Sequence, residues 1–89
     1  MEFEFDERKS ESNRAKHGID FFSVQELWLD GMGIELPARD AGEPRWVAIG
    51  KIKGQHWAAF FTVRENRVRI ISARRARPKE VAAYEGQGS

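Results

Sequence analysis

The sequence predicts an α+β fold, in which a small antiparallel β-sheet carries two N-terminal helices and one C-terminal helix. Three apolar or alternating stretches, 45–52, 55–63 and 67–72, indicate consecutive strands. The two-residue turns Lys53-Gly54 and Glu65-Asn66 separate them, which is typical of β-hairpins. Helix start and stop residues flank the apolar segments before and after these strands. The predicted order is therefore βααβββ(β)α.

A short strand and a polar helix begin the chain. Residues 2–5 alternate with a period of two, which points both phenylalanines to the core. Asp6 is a good N-cap and Gly18 a good C′ residue, so we expect a helix over 7–17. Ala15 is nearly its only apolar residue. Because core burial alone cannot hold so polar a helix, we expect one of its faces to line a site or meet a partner.

The second predicted helix is of the ordinary amphipathic type. It follows Asp20, and its apolar residues recur at helical spacing: Phe21, Val24, Leu27 and Trp28. Two glycines, at 31 and 33, end it. Residues 34–36 then predict a short strand that stops at Pro37, and residues 38–44 predict a turn.

The last helix is predicted from Pro78 to about Tyr84, because proline suits the first helical turn. Residues 86–89 are expected to be a frayed tail. We find no repeat and no linker, so residues 1–85 form one predicted domain.

Composition excludes several classes of protein. The 89 residues contain no cysteine, which excludes disulfides, thiolate metal sites and a thiol nucleophile. The longest apolar run, 57–61, is too short to span a bilayer, and the acidic N-terminus is unlike a signal peptide. We therefore expect a cytoplasmic protein with no membrane partner. No His, Asp or Glu cluster has metal-ligand spacing, so no metal and no cofactor is expected.

Basic residues are concentrated in one stretch of the chain. Between residues 64 and 79 there is one acid, Glu65, against seven basic residues: Arg64, Arg67, Arg69, Arg74, Arg75, Arg77 and Lys79. Arginine binds phosphate bidentately and keeps its charge in any surroundings, so this stretch is a candidate phosphate-binding surface. The alternative is a solvated, Arg-rich sheet edge. The N-terminal residues 1–13 are acidic, which predicts either internal pairing or a second partner.

Three motifs resemble those of the BrnT family, the toxin half of bacterial BrnT–BrnA toxin–antitoxin pairs. They are Phe-Asp-Glu-Arg-Lys at 5–9 leading to Asn-Arg-Ala-Lys-His-Gly at 13–18, Arg-Trp-Val-Ala-Ile-Gly at 45–50, and Arg-Ile-Ile-Ser-Ala-Arg-Arg-Ala at 69–76 followed by Glu80 and Tyr84-Glu85. The family usually has Trp where this chain has Phe5, which exchanges one aromatic anchor for another. The resemblance implies a RelE-like ribonuclease fold, endoribonuclease activity without metal, and neutralisation by a BrnA-type antitoxin.

Metal-free RNA cleavage needs a base for the 2′-OH, an acid for the departing 5′-oxygen, and cations for the phosphorane. His17 is the candidate base or acid, although a histidine in a last helical turn also complements the macrodipole. Arg74 is the candidate for the scissile phosphate, and the alternative is a salt bridge to Asp6 or Glu80. Glu80 or Tyr84 could complete proton transfer, or could equally be helix cap and core.

Further side chains are candidate RNA contacts: Lys9, Asn13, Lys16, Arg69, Arg75 and Arg77. The first three share one face of the polar helix with His17 beside them. The other histidine, His56, is expected to pack at the surface or at a sheet edge.

The sequence thus predicts an endoribonuclease toxin of a bacterial type II toxin–antitoxin system. Its expected partners are RNA and a BrnA-type antitoxin, with DNA reached only indirectly through the antitoxin. The rival interpretation is a non-catalytic component of a DNA-binding repressor complex, whose arginines grip an acidic segment of the partner.

Overall fold

The computed structural model describes residues 1–39 and 42–86. Its elements are β1 (Glu2–Glu4), α1 (Glu7–His17), a 3-10 helix (Ser23–Leu29), β2 (Ile34–Ala38), β3 (Arg45–Ile52), β4 (Gln55–Arg64), β5 (Arg67–Arg75) and α2 (Pro78–Glu85). This arrangement confirms the α+β class. Residues 87–89 of the predicted tail (86–89) and residues 40–41 of the predicted turn (38–44) lie outside the described residues.

The five strands form one mixed sheet in the order β1-β5-β4-β3-β2. All neighbouring pairs are antiparallel except β1 and β5, which are parallel, with Glu2 opposite Arg67 and Glu4 opposite Arg69. The prediction of a purely antiparallel sheet is therefore wrong at this edge. A tight turn forces its two strands to be antiparallel, but most of the chain separates β1 from β5, so no turn constrains their direction.

Both predicted hairpin turns are confirmed. In each turn the two central residues have positive φ: 51° at Lys53 and 80° at Gly54, then 50° at Glu65 and 65° at Asn66. These angles match type I′ turns, whose twist suits the flanking strands. The turns fix the register of β3, β4 and β5, with β4 at the centre of the sheet.

Strand β5 is longer than predicted and contains a bulge. It runs to Arg75 instead of residue 72, because its last residues pair with Trp57 and Ala58 of β4. The register shifts between Phe60, which pairs with Ser72, and the next residue, which pairs with Ile70. An extra residue at position 71 is thus inserted into β5, and such bulges redirect the neighbouring side chains.

Two further predictions need correction. The second N-terminal helix is a 3-10 helix and not an α-helix, with bonds such as that from the Gln25 N–H to the Phe22 carbonyl at 3.2 Å. The predicted helix residues Phe21, Val24 and Leu27 are nevertheless buried. Strand β2 does not stop at Pro37 but continues through it, since β2 is an edge strand and its proline need not donate to a neighbour.

The helices cover the two faces of the sheet. One core cluster joins Phe21, Val24 and Leu27 of the 3-10 helix region to residues of β3, β4 and β5, including Ala59 and Ile70. The other cluster places Tyr84 of α2 against residues of the opposite face: Val47, Ile49 and Ala58. Within residues 1–39 and 42–86, no helix has the length and apolar character that crossing a membrane requires.

Candidate active site

Helix α1 is held to the sheet by buried polar side chains. The Asn13 amide donates to the Ile19 carbonyl at 2.8 Å and accepts from the Ala73 N–H of β5 at 3.1 Å. The Ser10 hydroxyl accepts from the Phe21 N–H at 2.9 Å. These bonds explain how a helix almost without apolar residues stays folded, since buried polar groups stabilise a fold when they are paired. Asn13, a predicted RNA contact, uses both ends of its amide within the protein.

A cavity of about 210 Å³ lies between α1 and β5. Its lining combines the polar face of α1 with the bulge of β5: Lys9, Ser12, Asn13, Lys16, His17, Phe21, Ile71 and Ser72. Lys9, Lys16 and His17 are exposed, and no ion pair in the described part of the chain uses either lysine. The structure therefore brings together the four residues that the sequence placed on one face of this helix.

Arg74 and Glu80 form a two-pronged ion pair between β5 and α2. The two terminal nitrogens of Arg74 donate to the two carboxylate oxygens at 2.7 and 2.9 Å, and the side chains are 20% and 19% exposed. Glu80 also accepts from the Arg77 N–H at 2.7 Å, which caps α2. The Arg74 hydrogen bond is the main reason that the pKa of Glu80 lies below its ordinary value. The salt bridge considered as an alternative for Arg74 is thus present.

Tyr84 donates its hydroxyl proton to Asp30 at 2.7 Å. Asp30 also accepts from the N–H groups of Lys51 at 2.8 Å and Met32 at 2.9 Å. These hydrogen bonds lower the pKa of Asp30, and the bond from Tyr84 has the largest effect. The same carboxylate raises the pKa of Tyr84 to about 12. A phenol with this pKa keeps its proton at neutral pH, and its hydrogen bond to Asp30 favours that protonated form.

His56 is held by the end of α2. Its Nε2 lies 2.6 Å from Glu85, whose carboxylate is also 3.5 Å from the Lys51 ammonium group. The imidazole packs edge-on against the Tyr84 ring at 5.3 Å and is 22% exposed. The hydrogen bond from His56 is the main cause that lowers the pKa of Glu85.

Sequence reasoning missed this histidine–carboxylate contact and the role of Asp30. The two-residue turn predicts that Lys51 lies directly opposite His56, but no local pattern predicts that Glu85 of α2 lies beside them. No comparable signal marked Asp30, since its partners come from distant parts of the chain.

Half of the remaining residues of the basic stretch are paired with the protein's own acids. Arg69 meets Glu4 at 2.9 Å and Arg67 meets Glu2 at 3.7 Å, both across the β1–β5 pair. Arg64 donates to Glu43 at 3.0 Å. Arg75 instead lies over the Trp57 ring, 5.0 Å from its centroid, and its side chain is exposed, as are those of Arg77 and Lys79. Internal pairing thus accounts for much of the acidic N-terminus.

The predicted site residues fall into two groups. Arg74, Glu80 and Tyr84 do not line the cavity around His17. They lie where α2 packs on the sheet: Arg74 of β5 pairs with Glu80 of α2, and Tyr84 of α2 donates to Asp30. Among the described residues, no group of three or more His, Asp or Glu side chains is arranged to hold a metal ion.

A small α+β domain with exposed cations beside histidines carries the groups that acid–base chemistry on a phosphodiester requires. A family model described as "Ribonuclease toxin, BrnT, of type II toxin-antitoxin system" matches residues 5–80, which is most of the chain. The chain belongs to this family of ribonuclease toxins, whose systems pair the toxin with an antitoxin. A search of curated proteins found no match.

Proposed function

We propose that the chain is a metal-independent endoribonuclease that cuts RNA in the cytoplasm through the 2′-OH of its substrate. The observation that carries this proposal is the cavity between α1 and β5, which His17, Lys9 and Lys16 line together. His17 supplies a group that exchanges protons near neutral pH, and the two lysines supply positive charge for the phosphate. A RelE-like ribonuclease fold is part of the same proposal.

The proposed reaction begins when His17 takes the proton of the 2′-OH. The freed oxygen attacks the adjacent phosphorus, the bond from phosphorus to the 5′-oxygen breaks, and that oxygen receives a proton. The products are a 2′,3′-cyclic phosphate and a 5′-hydroxyl. Lys9 and Lys16 would stabilise the negative charge that develops on the phosphorane.

The remaining predicted residues have different roles in the proposal. Arg75 and Arg77 are exposed and extend the basic surface, so we assign them RNA backbone contacts. Arg69 and Arg74 already bind carboxylates, so a role for either in RNA binding would require its ion pair to be shared or broken. The contacts of Asn13, Glu80 and Tyr84 support the fold, and we assign them no direct step in catalysis.

We further propose that the antitoxin is a BrnA-type protein that covers the exposed basic surface with acidic or apolar residues. An exposed basic surface binds RNA with little selectivity, so inhibition of the toxin requires a partner that covers this surface. DNA would then be reached only through the antitoxin. Co-expression with the neighbouring reading frame and gel filtration would show one joint peak; two separate peaks at micromolar concentration would contradict this part of the proposal.

The reaction itself is tested with one RNA oligomer, prepared with and without a 2′-O-methyl group at the cut site, in excess EDTA. We expect only the unmodified oligomer to be cut, with a 2′,3′-cyclic phosphate as product. Cleavage of both oligomers, or of neither until Mg²⁺ is restored, would overturn the mechanism.

His17→Gln tests the assignment of the cavity. The exposed side chain makes this substitution compatible with folding, and loss of a proton-transfer group typically lowers a rate by about 10²-fold or more. Lys53→Gln, a substitution in the exposed β3–β4 turn, is the control for a change of surface charge. If His17→Gln cuts RNA as fast as the control, the active site does not lie in the cavity at α1.

A further inference from the structure

We propose that an acidic amphipathic helix of the antitoxin binds beside α2, on the part of the sheet that α2 leaves uncovered. The sheet side on which α2 packs is called the α2 face, and its uncovered patch is formed by Leu36, Ala38, Arg45 and Phe60. This docking rests on the proposed function, which supplies the antitoxin as the partner, and adds the surface on which that partner binds.

Helix α2 is too short to cover its face of the sheet. Its eight residues extend about 12 Å, whereas the ten residues of β4 extend about 33 Å. The core cluster on this face buries Val47 and Tyr84. Leu36 lies opposite Val47 on the edge strand β2 and is 39% exposed. Ala38 and Phe60 pack against the same cluster and are only partly buried, so apolar surface remains beside α2.

Arg45 lies in the uncovered patch without a carboxylate partner in the described part of the chain. It pairs with Ala38 and precedes Val47 by two residues, so its side chain lies on the α2 face. Its Nε atom is buried without an acceptor, and no ion pair within 1–39 and 42–86 uses its guanidinium. A half-buried charge without a partner raises the free energy of the free protein, and a carboxylate from another protein would remove that cost.

Neighbouring arginines of the α2 face already bind carboxylates. Arg69 contacts Glu4 at 2.9 Å, and its two neighbours in β5 are buried in the cluster on the other face. Arg74 binds Glu80 at 2.7 Å and lies over the Phe60 ring, 5.0 Å from the centroid. This face therefore matches a partner that carries a carboxylate for Arg45 among apolar side chains.

The same contacts favour an acidic helix over RNA on this face. A base would have to stack on Phe60, but the guanidinium of Arg74 already lies on that ring. Glu4 and Glu80 add negative charge that repels phosphate. Leu36 instead offers the kind of apolar contact with which an amphipathic helix is bound.

Docking on the uncovered patch would also bring the antitoxin to the basic surface. The N-terminal end of α2 carries the exposed cations Arg77 and Lys79. A helix anchored on Leu36 and Arg45 would lie alongside α2, so the rest of the antitoxin would reach these cations. One partner can therefore bind the apolar patch and cover the basic surface.

Single-cysteine variants map the docking surface, because the chain contains no cysteine. Leu36→Cys places a thiol in the uncovered patch, and Leu29→Cys, at an 83% exposed leucine of the 3-10 helix, is the matched control. The rate of maleimide modification is measured for the full chain alone, with the protein of the neighbouring reading frame, and with 2′-O-methyl RNA. We expect only that protein to slow the reaction, and only in Leu36→Cys.

The affinity for the same protein gives a second readout. Arg45→Gln and Leu36→Lys should each raise the Kd by about 30-fold or more, as loss of a central interface contact does. Arg8→Gln and Leu29→Lys, which change exposed residues elsewhere, should alter the Kd little. Since no ion pair of the described residues uses Arg45, Arg45→Gln should keep the wild-type melting temperature, which separates lost affinity from a folding defect.

Protection of Leu36→Cys by RNA, or a reaction rate that falls as the chain alone is concentrated, would assign the patch to RNA or to a second copy and overturn the inference. Equal protection of both cysteines, an unchanged Kd in Arg45→Gln and Leu36→Lys, or the absence of any complex would overturn it as well. RNA cleavage by the wild type is measured separately. A protein that binds its partner through Leu36 but leaves RNA uncut overturns the proposed function and not the docking surface.

Discussion

Single carboxylates join distant parts of this small domain. Asp30 takes donors from its own turn, from β3 and from α2, and Glu80 takes donors from β5 and from the α2 N-cap. Each carboxylate keeps its charge, since the donors lower its pKa. Such carboxylates are natural candidates for catalysis, but their oxygens already accept hydrogen bonds from other groups of the domain.

Tyr84 gives a prediction about alkaline pH. Its pKa is raised to about 12 from the ordinary value of 10.0, first by the hydrogen bond to Asp30. A raised pKa contributes stability that is fully present below pH 10 and is lost as the pH rises through 12. We expect unfolding free energy to fall across this window in the wild type and to stay flatter in Tyr84→Phe. That variant should be less stable by about 1–2 kcal/mol at neutral pH.

The chain has one tyrosine, so tyrosinate absorbance reports this group alone. Spectrophotometric titration of the folded protein should give a midpoint well above 10, and the unfolded protein should titrate near 10. A folded midpoint near 10 would show that the Asp30 contact does not form in solution.

Arg74 is predicted to contribute more to folding than an exposed ion pair does. The pair with Glu80 is mostly buried and bidentate, so Arg74→Ala should destabilise the protein by about 1–3 kcal/mol. Arg75→Ala is the matched control, because the neighbouring arginine is exposed and only stacks on Trp57. Urea unfolding at pH 7 gives both values, and equal losses would deny Arg74 its structural role.

The pair also predicts an effect of acid. Because the pKa of Glu80 lies below 4.5, its contribution is present above that pH and is lost as the pH falls through the folded value. The difference in unfolding free energy between the wild type and Arg74→Ala should therefore become smaller as the pH falls. A difference that is constant from pH 7 to strongly acidic solution would contradict this linkage.

Among the secondary-structure elements, those set by local chemistry follow from the sequence. Asp6 accepts from the N–H groups of Arg8 and Lys9, and Gly18 has a φ of 83°, so both ends of α1 are where the cap residues predict them. The hairpins follow from their turn residues in the same way. These features depend on contacts a few residues apart.

Other elements depend on packing that a local pattern does not show. Phe21, Val24 and Leu27 are three residues apart, which suits the period of a 3-10 helix as well as an α-helix. The parallel pairing of β1 joins residues 2–4 to 67–69. From the sequence alone, the ion pair between Arg74 and Glu80 is only one of several interpretations of Arg74. The distance between β5 and α2 decides whether this pair forms, and the sequence does not give that distance.

Asn13 gives a prediction at the scale of the α1–β5 contact. Asn13→Ala would leave the Ile19 carbonyl and the Ala73 N–H without their buried partner, and each unsatisfied group costs about 1–3 kcal/mol. We expect a loss of unfolding free energy of about 2–4 kcal/mol, measured by urea titration. Ser12→Ala, an exposed change on the same helix, should have little effect. A stable Asn13→Ala protein with weakened RNA binding would instead make Asn13 an RNA contact.

Over the whole molecule, the charge is less polarised than the sequence suggests. Four arginines of the basic stretch bind the protein's own glutamates: Arg64, Arg67, Arg69 and Arg74. The acidic β1 strand supplies two of those partners by pairing with β5. Among the described residues, the positive charge that remains available to a ligand therefore lies mainly on α1 and at the end of β5, from Arg75 to Lys79.

This distribution predicts which cations bind RNA phosphates. Arg75→Ala and Arg77→Ala should each weaken RNA binding and reduce the dependence of log Kd on log salt concentration by about one unit. Arg64→Ala changes the net charge equally, but its guanidinium is already bound by Glu43, so the salt slope should be almost unchanged. Binding is measured by fluorescence anisotropy with a 2′-O-methyl RNA, which the proposed reaction cannot cut. The same loss of slope in all three variants would mean that RNA responds to net charge and not to the exposed arginines.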